Sequence, residues 1–245
     1  LLNYLDQGIS PQNLTIISFN YDIFIEKILD HLEASVFRIS YFTPIFSFPY
    51  CYKLDLDFHD VTRPQRPIEG YFRRQTDRMG GIILLKLHGS LNWFTIHKNE
   101  EFDYDSMFEP NRSFKISGEK MIRPGKMKYR GPESSDVYNT LSITVPPIPE
   151  KSSVFHNKIN NLWIYAEDAL KEADEILIFG YSCPRTDKES SNLFKGSLAK
   201  NKKIQKISII DPNRDIINRY SSLFISKRIY PYERVKDFLR KPQTI

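Results

Sequence analysis

The chain has 245 residues, 40% of them apolar and 13% aromatic, enough for a sizeable core in one large domain or two small ones. Lysine and arginine exceed aspartate and glutamate by 35 to 30, a formal +5 with a pI near 9.0. That excess is mild and scattered, so it eases the approach of an anionic ligand without making a nucleic-acid patch. Two cysteines, Cys51 and Cys183, exclude a disulfide framework and a four-thiolate zinc site, and no other metal set is visible. The longest apolar runs, such as 82–85, fall far short of the ~18 residues of a membrane span, and with so few cysteines a globular protein of a reducing cytoplasm is expected.

In chain order, residues 1–12 read as a frayed helix end followed by a turn at Gly8, Ser10 and Pro11. The run 14–19, LTIISF, predicts a strand covered on both faces, and the spacing of Phe24, Ile25, Ile28, Leu29 and Leu32 predicts a helix from Asp22 to about 33. Residues 34–80 are rich in aromatics and interrupted by Pro44, Pro49, Pro64 and Pro67, which suggests an insertion with short strands ending at Gly80-Gly81. A second buried strand follows at 82–87 and leads into His88-Gly89-Ser90 and then Leu91-Asn92-Trp93-Phe94. From 97 to about 139, charge, glycine and proline predict an irregular excursion or lid, closed by Val145-Pro146-Pro147.

The second half is more regular. An amphipathic helix is predicted over 160–173 and a strand over 175–179, followed by Gly180-Tyr181-Ser182-Cys183-Pro184. Thr186 and Glu189 stand at capping-box spacing for a helix over 187–199. A strand at 206–210 ends on Asp211-Pro212-Asn213, and a helix over 214–224 and an amphipathic segment over 233–239 complete the chain. Four strand ends thus carry polar clusters, and helices follow most of them. The alternation predicts an α/β, doubly wound, mostly parallel Rossmann-like sheet in one domain, with one ligand crevice at the strands' carboxyl ends.

These clusters, in this order, resemble the sirtuin-like NAD-binding family, and within it the prokaryotic branch that lacks the zinc module. Asn20-Tyr21-Asp22 matches the family's Asn-x-Asp turn, His88-Gly89 in KLHGSLNW its His-Gly pair, and Gly180-Tyr181-Ser182 its Gly-x-Ser turn. Asp211-Pro212-Asn213 stands where the family's strand end meets the adenosine ribose. One departure is plain: no Gly-Ala-Gly-x-Ser loop, which would cradle the pyrophosphate at a helix N-terminus, occurs in the sequence. Because the chain starts without methionine, the expectation is that a longer parent supplies that first strand and loop; a degraded, inactive relative is the other reading.

The resemblance implies hydrolysis of NAD, as substrate, to nicotinamide and ADP-ribose, in a branch whose members commonly serve as effectors of bacterial anti-phage defence. It implies His88 as the base, since imidazole titrates near neutrality, and Asn20 as the group that orients ribose and water. Ser18, Asp22, Gly89, Ser90, Gly180, Ser182, Asp211 and Asn213 are implied in binding the nucleotide, and no metal is required. Structural readings stand beside these: Asp22 as a helix cap, Asn20 as a turn residue, Gly180 as a tight turn, Thr186 as a cap and Trp93 as core. Cys183 lacks an evident base and is not expected to act as a nucleophile. A non-catalytic module that senses an NAD-derived nucleotide or assembles with partners, including further copies or added domains, is the alternative function. An NAD-dependent protein deacylase is a further one.

Overall fold

A computed structural model of the chain describes residues 13–32, 50–51, 57–60, 82–97, 113–117, 129–130, 137–144, 157–224 and 228–240. Among these residues the chain is of the α/β class, with helices and parallel strands compatible with a Rossmann-like fold. It divides into two compact units, Leu1–Pro146 with Val154–Leu162, and Pro147–Ser153 with Trp163–Ile245. The expectations for 1–12, for Gly80-Gly81 and for Val145-Pro146-Pro147 lie outside the described residues.

In the first unit the run at 14–19 forms β1 (Thr15–Ser18), and the chain then turns into α1 (Phe24–Leu32). Asp22 Oδ1 accepts from the Phe24 N–H at 2.9 Å, which satisfies one of the donors a helix start leaves open. Next come β2 (Tyr50–Cys51), β3 (Asp57–Asp60) and β4 (Ile82–Lys86). β4 lies between β1 and β2 in a parallel three-stranded sheet, with Thr15 to Ser18 in register with Ile83 to Lys86. A central parallel strand is covered on both faces, which is why 82–87 reads as an unbroken apolar run; Leu84, Leu85 and Leu87 are fully buried. β2 belongs to this sheet although it lies in the stretch expected as an insertion.

After β4 the chain does not enter a helix. Gly89, at φ +80, opens β5 (Gly89–His97), which pairs antiparallel with β6 (Ser113–Ser117) and β8 (Val137–Thr144). With β7 (Tyr129–Arg130) and β3 they form a five-stranded sheet in the order β3-β6-β5-β8-β7, in which only β3 and β6 run parallel. The region 97–139 is therefore not uniformly irregular: its described residues are strands. Charge obscured the signal, yet SFKIS alternates Phe114 and Ile116 with polar residues, as a strand of an antiparallel sheet does.

In the second unit α2 (Asn157–Glu172), whose first turns belong to the first unit, is followed by β9 (Glu175–Phe179) and α3 (Lys188–Lys200). Then come β10 (Lys206–Ile210), α4 (Arg214–Leu223), β11 (Ile229–Tyr232) and α5 (Val235–Arg240). β10 lies between β9 and β11 in a second parallel sheet, and Ile207, Ile209 and Ile210 are buried. β11 escapes sequence reading because Pro231 sits inside it. Proline lacks the N–H that an inner strand needs, and β11 lies at the sheet's end among the described strands. Phe194 of α3 meets Tyr220 and Phe224 edge-on at centroid distances of 5.9 and 5.8 Å. Each such large side chain, once buried, contributes roughly 1.5–3 kcal/mol.

Two details sharpen the helix boundaries. The cap of α3 is Asp187 rather than Thr186: Asp187 Oδ1 accepts from Ser190 N, while Thr186 is exposed one residue outside. At the other end, buried Asn201 donates through Nδ2 to the Leu170 and Ala173 carbonyls and accepts at Oδ1 from Lys203 and Ile204. One side chain thus fastens the end of α3 to the end of α2.

Candidate functional site

The polar strand ends fall into two groups, one at each parallel sheet. At the first corner Ser18 ends β1 beside Lys86 of β4, and Leu87 N donates to the Ser18 carbonyl at 3.0 Å. Ser18 is buried, and its Oγ accepts from Asn20 N at 3.2 Å, which closes a tight turn. The Asn20 side chain is exposed and makes no hydrogen bond with the described residues. Asp22 is exposed as well, with Oδ1 engaged as the cap of α1.

His88 sits where β4 passes into β5 and is 3% exposed. Its imidazole lies edge-on to Phe19 at a centroid distance of 5.6 Å and tilted against Tyr21 at 6.1 Å, so aromatic faces set its orientation. Gly89 needs its positive φ to turn the corner, a conformation costly for any residue with a Cβ. Ser90 is fully buried and its Oγ donates to the Tyr21 carbonyl at 3.4 Å. Trp93 is 1% exposed, in keeping with the core reading.

Sequence reading missed the residue that ties this corner together. Lys86 is fully buried, and its Nζ donates to Glu26 Oε1 at 2.9 Å, to the Tyr21 carbonyl at 3.4 Å and to the Asp22 carbonyl. Burial pushes its pKa down, and the Glu26 carboxylate opposes that push. Sequence reading places Lys86 within the buried strand 82–87 and gives it no role of its own. The only cue was Glu26, an acid in the first turn of α1 that a buried ammonium can use.

At the second corner Gly180 follows β9 with φ +64, and no heavy atom would lie within 4 Å of a Cβ built there, so the backbone is open to close approach. The loop beyond it is clamped from α4. Arg219 Nη1 donates to the Ser182 carbonyl at 2.7 Å and the Cys183 carbonyl at 3.1 Å, and the Tyr220 hydroxyl donates to the Tyr181 carbonyl at 2.8 Å. Tyr181 in turn donates its hydroxyl to Asp187 Oδ2 at 3.0 Å. Burial raises the pKa values of Tyr181 and Tyr220 and pushes the Cys183 thiol up to about 11, with Asp187 adding to the last effect and Arg219 opposing it. Cys183, 2% exposed at φ +45, therefore has the setting of an inert thiol.

Asp211, 8% exposed, ends β10 and accepts from Asn213 N through Oδ1 at 2.8 Å. Asn213 is the N-cap of α4, its Oδ1 accepting from Asp215 N at 2.9 Å. The structure thus brings Ser18, Asn20, Asp22, His88, Gly89 and Ser90 together at one corner, and Gly180, Ser182, Asp211 and Asn213 at the other. Several of them already hold turns or caps. Among the described residues no group of three His, Cys, Asp or Glu is placed to hold a metal ion, and no helix is long and apolar enough to cross a membrane. Comparison of the sequence with protein-family models gives no match, and comparison with curated proteins gives none either.

Proposed function

We propose that this chain is a sirtuin-like domain, a single doubly wound unit, that binds NAD and hydrolyses it to nicotinamide and ADP-ribose. The supporting observation is the first corner: an exposed Asn20 amide and a ring-oriented His88 stand at the carboxyl ends of two adjacent parallel strands. That is the position at which open α/β sheets bind nucleotides. In the reaction water attacks the anomeric carbon of the nicotinamide ribose, the bond to nicotinamide breaks, and one proton is released. Asn20 orients the ribose or the water and His88 takes the proton. Because His88 is 3% exposed, this role requires the residues around it to open when ligand binds. A role in bacterial anti-phage defence follows from the resemblance alone.

The burial of His88 favours a second reading, a module that binds an NAD-derived nucleotide without cleaving it. Incubation with NAD and chromatography of the products, together with calorimetric titration, separates the two. Release of nicotinamide that is lost in His88→Ala and Asn20→Ala supports hydrolysis. Saturable binding without nicotinamide supports the sensor, and unchanged cleavage in both variants removes the assignment of these residues.

A further inference from the structure

A lysine at the end of a buried central strand calls for an explanation. The ammonium of Lys86 has three hydrogens, and three oxygens receive them: Glu26 Oε1, the Tyr21 carbonyl and the Asp22 carbonyl. The Lys86 and Glu26 side chains are 1% and 4% exposed, so the pair is held in the interior. Buried ion pairs often add no more stability than apolar residues of similar volume, which makes stability alone a weak reason for this one. Two of its three acceptors are main-chain carbonyls of the turn after β1. The same Tyr21 carbonyl also accepts from Leu91 N at 2.8 Å and Ser90 Oγ at 3.4 Å. Residues on both sides of His88 therefore grip the turn that carries Asn20.

We propose that Lys86 is a positioning residue: its buried ammonium fixes the 20–22 turn against the end of β4, and so sets the spacing between Asn20 and His88. The catalytic part of this inference rests on the NAD reading above, while the structural part does not. Without the ammonium the Tyr21 and Asp22 carbonyls lose a shared donor, and with it the turn loses a hold from β4. Small misplacements of orienting groups cost turnover far more than they cost affinity for the rest of a substrate.

The test uses the double variant Lys86→Met/Glu26→Leu, in which no buried charge is left unpaired, with Lys86→Met/Glu26→Gln as a second neutral pair should leucine prevent folding. The expected result is a thermal midpoint near that of the unchanged protein, with kcat for nicotinamide release lowered on the order of tenfold or more and KM changed much less. Full turnover at a recovered midpoint overturns the proposal, because the pair is then merely structural. Hydrogen exchange without ligand supplies the second arm: amides from 20 to 24 exchange on the order of tenfold faster in the double variant while those of β1 and β4 do not change. If the unchanged protein releases no nicotinamide, the NAD reading fails and exchange alone judges Lys86. Unaltered exchange at the turn overturns the proposal in either case.

Discussion

The two strand-end corners do the same topological job with different chemistry. At the β1–β4 corner a buried charge pair, Lys86 and Glu26, organises the turn, and the Asn20 side chain is left exposed. At the β9–β10 corner Asp187 and Asn213 cap the following helices, and Arg219 and Tyr220 hold the loop carbonyls. The contrast arises from the type of element that each strand runs into. β9 and β10 lead into helices whose open N–H groups take up nearby side-chain oxygens. The first corner is mixed: β1 leads into α1, whose start Asp22 caps, whereas β4 leads into another strand and its Lys86 holds the turn between β1 and α1.

The largest expected effect tests the charge pair. Lys86→Met leaves the Glu26 carboxylate buried without its cation, and stability falls by about 3–5 kcal/mol, read by urea or thermal unfolding. A loss below about 1 kcal/mol would show that water reaches the pair and would erase the contrast between the corners. Next, Asp187→Ala removes both a helix cap and the acceptor of the Tyr181 hydroxyl, for a loss of about 2–3 kcal/mol. Asp187→Asn keeps the cap oxygen and recovers part of that loss.

A smaller effect concerns alkaline pH. The folded-state pKa of Cys183 is raised from 9.0 to about 11, so the folded protein holds this proton more tightly than the unfolded chain. Its contribution is fully present below pH 9 and disappears as pH rises towards about 11. Denaturation midpoints measured across that window should fall less steeply in Cys183→Ala; identical slopes would show that the thiol is not desolvated. Smallest of all is Asn20→Ala, whose exposed side chain holds nothing among the described residues. Its stability should change by less than about 0.5 kcal/mol, so any loss of NAD cleavage in that variant is chemical rather than structural.

Much of the fold was legible in the sequence. The runs at 175–179 and 206–210 match β9 and β10 residue for residue; for β10 the reason is that a central parallel strand needs continuous apolar character, whereas β9 keeps its apolar run although Leu177 and Phe179 are exposed. Asp22 as a cap was legible too, since a short acceptor before a helical apolar pattern has few other uses. β6 and β8 were not: SFKIS is a short alternation carrying one charge, and VYNTLSIT mixes polar Asn, Thr and Ser among its apolar residues. β11 was hidden by Pro231, and the cap of α3 was displaced by one residue because Thr186 and Asp187 are both good acceptors.

By itself, then, the amino-acid sequence determined the α/β class, the strands β1, β4, β9 and β10 and the polar residues at or just after their ends. Hydrophobic run length and capping chemistry are local properties, and they are written within a few residues of one another. Only the tertiary structure decided that β4 continues into an antiparallel sheet, that His88 is buried against Phe19 and Tyr21, and that Lys86 turns inward to Glu26. The reason is that a charge 60 positions from its partner has no local signature. Whether a lysine meets water or a buried carboxylate is settled by which strand and helix pack together.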